Sequence, residues 1–403
     1  MGNQRHDKSN IAIVTPAVAR EGITKQAANQ ITALQSKGII VFLVVLSDFN
    51  QKVLIEMGVQ LPQENILLLK QPVSYLSQKA LLYSITTIFP IIRFFKRNNV
   101  GIVIAHAPYA HFVMRLAKML SSFFSLRLKL YQYYHGLQYA EYPINTIRRR
   151  VINKINIMLA KCYDNGHISV SNAAKDDVEK NFIKHDNHVV IYNSLPVNKG
   201  FGQQDNFEWE GVQNVLTYHK GKFIMLLPGR IDHNKGQLFF ISVLKKFIAQ
   251  NSIASGGIML LLVGDGPQKK DVEEFIMENK LSSLVKLLGS LSNRVVQRMM
   301  KETDLVVVPS MFEGLPFTVL EAFSAGCMVL ASDAGGLKEV IKNGETGFLF
   351  KAGNAEDCLA RLNYIYSNRS RKLISQEKIE EDLQERFSIE SYRRELLKML
   401  KSI

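Results

Sequence analysis

Residues 304–322, DLVVVPSMFEGLPFTVLEA, decide how this chain is read. The apolar run Leu305-Val306-Val307-Val308 predicts a buried strand that stops at Pro309. A helical pattern begins near Pro316, where proline suits a first helical turn because the N–H it lacks would have no partner there. The loop between them lies at the carboxyl end of a strand, the edge at which open α/β sheets bind ligands. Glu313 stands in that loop and Glu321 lies about two turns further along. The first amides of the helix, at Phe317, Thr318 and Val319, make an anion site of the kind that helix N-termini provide. Alone, the segment also fits an ordinary strand, turn and helix with solvated glutamates.

A chain of 403 residues exceeds one ordinary core, so two domains are expected. Hydrophobic content of 47% with 21% charged residues is that of a soluble globular protein. Cys162, Cys327 and Cys358 show neither metal spacing nor an even-numbered disulfide framework, which suits a reducing compartment. The polar start MGNQRHDKSN, followed by the short run IAIVTP, does not form a signal peptide. His6 breaks the myristoylation pattern that Met1-Gly2 opens. The most apolar stretch, 80–95, contains Pro90 and Arg93 and falls short of the ~20 residues that cross a bilayer.

Charge is unevenly shared. Residues 1–200 hold 24 Lys and Arg against 11 Asp and Glu, while the remainder holds 26 against 25. Nearly all of the net +14 therefore sits in the first half and points to an anionic partner there: a membrane surface, nucleic acid or a phosphorylated acceptor.

Strand and helix patterns alternate along the first half: strands at 11–15, 39–46, 100–105, 128–134, 166–170 and 189–192, and a helix at 24–37 stopped by Gly38. Continuous apolar strands between helices predict a parallel sheet covered on both faces. Residues 194–221 mix Gly, Pro, Asn and Gln and read as a linker with an irregular extension. The alternation then restarts with strands at 223–227, 258–263, 285–288, 305–308 and 328–331. The predicted fold class is α/β, with two doubly wound, Rossmann-like domains. Their bounds are 1–197, a linker 198–221, 222–385, and a basic terminal helix 386–403 expected to cross back onto the first domain.

Three further loops fall at strand ends of the second sheet. Residues 228–236, PGRIDHNKG, place Arg230 and Lys235 where two cations suit a diphosphate, although a solvated basic turn would look the same. VGDGP (263–267) and SDAGG (332–336) follow two other strands. Four such loops on one sheet edge make a binding site the better reading. No Walker lysine motif and no Asp-x-Asp metal motif occurs, so Arg230 and Lys235 are the groups expected to neutralise charge.

In that order, GRIDHNKG, VGDGP, DLVVVPSMFEGLPFTVLEAFSAG, SDAGG and NGETGFLF resemble glycosyltransferase family 4. VIAHAPYAHF, YYHG, SVSNAAKDDV and VIYNS are weaker echoes in the first half. The resemblance implies a GT-B fold, two domains facing a central cleft, and retaining transfer from a nucleotide-sugar without a bound metal or any other cofactor. It assigns Arg230 and Lys235 to the donor diphosphate, Glu321 to the ribose, Glu313 to the transferred sugar and the Phe317–Val319 amides, with Gly314, to phosphate. It places His135, after the strand that ends at Tyr134, beside the transferred sugar, so Glu313 and His135 are the catalytic candidates. Before the resemblance is weighed, a structural role for His135 is equally open, and His106 stands in a similar setting. The loop after the first strand departs from the family's Gly-Gly pair: it reads AVAREG (17–22), leaving Gly22 to approach the donor phosphate.

The expected partners are a nucleotide-sugar (UDP ahead of GDP), a glycan or lipid-linked acceptor and the anionic inner-membrane surface, with no nucleic acid. Arg93, Lys96 and Arg97, and then Arg148, Arg149, Arg150, Lys154 and Lys161, concentrate the basic charge. The second group lies on a helix whose apolar face (Ile147, Val151, Ile155, Met158, Cys162) is expected to pack on its own sheet, leaving the cations to meet lipid. The expected role is bacterial surface-polysaccharide synthesis (capsule, O-antigen or lipopolysaccharide), peripheral on the cytoplasmic face of the membrane. A nucleotide-sugar epimerase of the same fold is the alternative. A nucleic-acid-binding protein would also account for the charge, but no recognition motif supports it.

Overall fold

The computed structural model describes residues 10–71, 78–195, 203–251 and 257–401. The N-terminal readings at residues 1–9 and part of the expected linker, 198–202, lie outside them. The chain divides into two compact units, one made of 1–199 with 389–403 and the other of 200–388.

Unit 1 is built on seven parallel strands: β1 (Asn10–Thr15), β2 (Val41–Val45), β3 (Ile66–Leu68), β4 (Val100–His106), β5 (Lys129–Tyr134), β6 (Gly166–Ser169) and β7 (His188–Val190). Their order is β3-β2-β1-β4-β5-β6-β7. Every residue of β2 is buried, as a strand covered by helices on both faces requires. Strand order reverses between β1 and β4, and such a switch point opens a crevice at the carboxyl edge of the sheet. His106 closes β4 and His135 follows β5, so both stand on that edge.

Unit 2 has six parallel strands: β8 (Phe223–Pro228), β9 (Ile258–Val263), β10 (Val285–Leu287), β11 (Leu305–Val308), β12 (Met328–Ser332) and β13 (Phe348–Phe350). They are ordered β10-β9-β8-β11-β12-β13, with the switch point between β8 and β11. The loops after these two strands carry PGRIDHNKG and PSMFEGLP, so the topology itself brings those motifs together.

The sequence pattern passed over the three-residue edge strands β3 and β13. It also took 203–218 for irregular linker, whereas Gln203–Tyr218 is a helix of unit 2. Asp205, Trp209 and Val212 are its buried residues at helical spacing. Asp205 accepts from Ser292 Oγ at 2.5 Å and from Arg294 at 3.0 Å, and Glu208 accepts from the Ser292 amide at 2.6 Å. The Arg298 guanidinium lies 4.1 Å over the Trp209 ring, a cation–π contact. The contacts that hold this helix are tertiary, which is why a polar composition concealed it.

The last helix, Ile389–Lys401, belongs to unit 1 and packs on the helix Gly22–Gln35. Tyr392 and Leu396 are buried there. No helix among the described residues is long and apolar enough to cross a membrane.

Unit 1 buries an ionic network beneath its sheet. Arg115 grips Asp164 with two nitrogens, Nε at 3.0 Å from Oδ1 and Nη2 at 2.7 Å from Oδ2. Gln132 donates to the same carboxylate at 2.8 Å, and His167 Nε2 lies 3.0 Å from it. Burial alone would raise Asp164, but Arg115 and the His167 hydrogen bond hold it below the usual carboxylate range. Burial also depresses nearby histidines: His111 falls well below its ordinary value, as does His106 on the sheet edge, and His188 falls to about 3. Their folded-state values lie below the unfolded value of about 6.5, so between those limits the unfolded chain binds more protons. Stability is then full above that window and is lost as the pH falls through it, each such histidine adding to the loss. The melting temperature followed by circular dichroism should drop steeply from pH 7 to pH 5; a flat profile would show these imidazoles reaching solvent.

Candidate active site

The unit 2 site forms where the loops after β8 and β11 interlock. Asn234 is the clasp: its Oδ1 accepts from the Phe312 amide at 2.8 Å and its Nδ2 donates to the Phe312 carbonyl at 3.1 Å. Its own carbonyl accepts from the Met311 amide at 2.7 Å. Lys235, the next residue, is thereby held against Glu313, with Nζ 2.6 Å from Oε1. Ser310 Oγ donates to the same oxygen at 2.8 Å. Glu313 is buried although it lies in a loop, and the Lys235 side chain is about one third exposed.

The backbone must approach closely here. Gly236 has φ +72°, and a Cβ on it would meet the Pro309 carbonyl oxygen at 2.3 Å. Gly264, in VGDGP, has φ +141° and would meet the Gly229 carbonyl oxygen at 2.0 Å. Both positions exclude side chains for steric reasons as well as for backbone conformation.

The other expected donor residues lie around this pair. The helix Phe317–Ser324 starts after Pro316 with no side-chain cap, while Gly314, Phe317 and Val319 are buried and Thr318 is partly exposed. Glu321 is buried four residues into that helix and accepts from Asn293 Nδ2 at 3.1 Å. Arg230 differs from Lys235. Its side chain is 63% exposed and sits 3.6 Å from Asp232, with no contact to the Glu313 loop among the bonds the structure shows for it. The two cations thus have unequal settings: Lys235 is paired with the buried Glu313, whereas Arg230 is largely exposed beside Asp232.

Unit 1 carries the remaining candidates. Gly22 is exposed and opens the helix Gly22–Gln35. His135 Nε2 lies 2.9 Å from His106 Nδ1, and His106 Nε2 lies 2.8 Å from Gln30 Oε1. Gln30, His106 and His135 thus form one hydrogen-bonded row, in which the ring tautomers set which nitrogen donates. Burial pushes His135 down to about 3, so it is neutral at physiological pH. Tyr133 stacks on both rings, with centroids 4.9 Å from His106 and 5.0 Å from His135. Ala107, directly after His106, has φ +71°, a strained value for alanine that costs about 1–2 kcal/mol.

Asn234, Ser310, Asn293 and Gln30 were not among the sequence-predicted site residues. Asn234 lies inside a motif that was quoted, but a loop asparagine gives no sign of a partner 78 positions away. Among the described residues, no group of three or more His, Cys, Asp or Glu side chains is placed to hold a metal ion.

Family models match both halves of the chain: one described as Glycosyltransferase Family 4 over residues 20–199, the other as Glycosyl transferases group 1 over 212–386. The chain belongs to the family 4 glycosyltransferases. It is 29% identical over 150 residues to the 2-deoxystreptamine N-acetyl-D-glucosaminyltransferase of Niallia circulans, covering 37% of this chain and 38% of that protein. It is 26% identical over 164 residues to the UDP-Gal:alpha-D-GlcNAc-diphosphoundecaprenol alpha-1,3-galactosyltransferase of Escherichia coli, covering 40% and 41%. The chain thus spans roughly two fifths of the length of these two curated relatives. In fold it is similar to Anabaena Alr3699/HepE crystallised with UDP-glucose, with a TM-score of 0.76, 18% identity and coverage of 98% of this chain and 100% of that one. The fold is the GT-B type.

If the loops must approach this closely, Gly236→Ala should destabilise the protein by about 1–3 kcal/mol, the cost of overpacking. It should also displace Lys235 from Glu313. Thermal melting together with a crystal structure of the variant checks both; an unchanged melt would mean that the loop yields without cost.

Proposed function

We propose that the protein is a retaining glycosyltransferase that moves a sugar from a nucleotide-sugar to a glycan or lipid-linked acceptor in the synthesis of a bacterial surface polysaccharide. The observation that carries this reading is the Lys235–Glu313 pair, fixed beside the start of the helix Phe317–Ser324 at the switch point of the unit 2 sheet. A cation, a row of amides and two buried carboxylates within a few residues suit a molecule with a diphosphate at its centre, a sugar at one end and a ribose at the other. UDP is the favoured nucleotide, in keeping with the UDP-glucose bound to the fold neighbour, and GDP is the other to test. A lipid-linked acceptor is in keeping with the diphosphoundecaprenol substrate in the Escherichia coli relative's name.

In this reading the bond from the anomeric carbon to the leaving phosphate oxygen breaks and negative charge builds on the diphosphate. Lys235, Arg230 and the amides at Phe317–Val319, with the Gly314 turn before them, stabilise that charge, and Gly22 gives backbone access in unit 1. Glu321 holds the ribose hydroxyls. Glu313 holds hydroxyls of the transferred sugar, and the neutral His135 is the separate candidate that unit 1 offers for sugar contact. The acceptor oxygen bonds to the anomeric carbon on the face that the diphosphate leaves, and its proton passes to the departing phosphate oxygen.

Glu313→Gln and Lys235→Ala should each lower transfer by about 10²–10³-fold, the usual loss for one charge-stabilising group. Lys235→Ala should also abolish the rise in melting temperature that UDP gives the parent by mass action. Parent-like transfer in both variants would refute the assignment. Product analysis with UDP- and GDP-sugars separates the epimerase alternative, which would return an isomerised sugar nucleotide and need no acceptor.

Because Lys235 and Arg230 carry the charge stabilisation, an excess of chelator should leave the transfer rate nearly unchanged. A rate that disappears with chelator and returns on titration of manganese or magnesium would overturn that part of the mechanism.

A further inference from the structure

The helix Ile147–Tyr163 exposes the face that the sequence pattern expects to be packed. Ile147 is 80% exposed, Val151 52%, Ile155 46% and Met158 58%, and Cys162 is exposed as well. At 100° per residue these five positions form one narrow stripe along the helix. The buried residues Leu159 and Ala160 lie to its side and back, so the helix is held from behind and turns the stripe outward. Lys154, Lys161 and Arg150 border the stripe on one side and Arg148 on the other. Between Tyr142 and Tyr163 the chain has five basic residues and no acidic one. The start of the helix is firmly made, since Thr146 Oγ1 accepts from the Arg149 amide at 3.2 Å.

An apolar stripe bordered by cations on an exposed helix has the make-up of an interfacial helix, which lies in the plane of a bilayer surface with its apolar face sunk among the acyl chains. We propose that this helix docks unit 1 onto an anionic lipid surface by inserting Ile147, Val151, Ile155 and Met158, with Arg148, Arg150, Lys154 and Lys161 meeting the headgroups. A second copy of this chain is the poorer occupant, because a symmetric interface would set the same cations against one another. A purely electrostatic contact is also the poorer account, since it leaves the apolar stripe in water. The helix begins twelve residues after His135, in the connection that leaves the carboxyl end of β5. The inference does not rest on sugar transfer and its test reads binding alone, so the two can fail separately.

The test is cosedimentation of the full chain with phosphatidylcholine vesicles, with and without phosphatidylglycerol. The parent should bind only the anionic vesicles, and added salt should weaken binding without abolishing it, because apolar insertion is not screened. The combined variant Ile147→Ser, Val151→Ser, Ile155→Ser should lose about tenfold or more in affinity, as apolar area removed from the interface requires. Arg148→Gln, Arg149→Gln, Arg150→Gln should lose binding mainly at low salt. Phe123→Ser with Phe124→Ser, exposed aromatics at the opposite edge of the sheet, should bind like the parent. Cys162 is the exposed cysteine, while Cys327 and Cys358 are buried, so reaction with a polar thiol reagent reports the stripe directly. Anionic vesicles should slow that reaction several-fold in the parent and not in the serine variant. The proposal is overturned if the parent ignores anionic vesicles, if the serine variant binds as well as the parent, or if the phenylalanine variant loses binding instead. It is equally overturned if light scattering shows a dimer that the serine variant dissolves, or if binding is lost entirely at moderate salt, as a nucleic-acid-type surface would behave.

Discussion

The three hydrogen bonds between Asn234 and residues 311–312 are the contact on which the unit 2 site depends. A parallel sheet brings the carboxyl ends of β8 and β11 side by side, but that only places two loops within reach. Asn234 converts proximity into register. Its side chain pairs with both the amide and the carbonyl of Phe312 as another backbone segment would, and so sets Lys235 opposite Glu313. Gly236 and Gly264 are the steric counterpart, because the loops close only where no Cβ intervenes.

The pair so formed is asymmetric in a useful way. Glu313 is buried and receives two donors on one oxygen, which fixes its position without using its whole acceptor capacity. Lys235 has a partly exposed side chain whose ammonium is a point charge on a flexible stem. Arg230, largely exposed beside Asp232, is its complement. The site therefore combines one buried carboxylate with two cations of different exposure, which suits binding a charged group.

Unit 1 separates its charges by depth. Inside, Arg115 and Asp164 compensate one another, and the buried histidines stay neutral because desolvation opposes protonation. The neutral His106–His135 pair at the sheet edge follows from the same desolvation, with Gln30 bonded to the far side of His106. Outside, the surplus of lysine and arginine gathers on surfaces such as the helix Ile147–Tyr163, where apolar side chains also face water. One sequence thus carries an interior that resists protonation and an exterior suited to anions.

By itself the sequence determined the fold class, the position of most strands and the loops that follow them. Its apolar runs are continuous, as in strands buried on both faces, and its glycine- and proline-bearing loops fall at their ends. The loop positions of Arg230, Lys235 and Glu313, and the helix start at Phe317 that carries Glu321, were legible because they belong to short local motifs. The three-residue strands β3 and β13 were not, since edge strands that short carry no periodic signal. The helix Gln203–Tyr218 was hidden because its stability comes from Ser292, Arg294 and Arg298, some 80 positions or more away. Tertiary structure alone decided that Lys235 rather than Arg230 pairs with Glu313, and that Ile147, Val151, Ile155 and Met158 face outward. Periodicity shows that residues share a face of a helix; which way the face turns depends on what packs behind it, and here the contacts at Leu159 and Ala160 turn the apolar stripe toward the solvent.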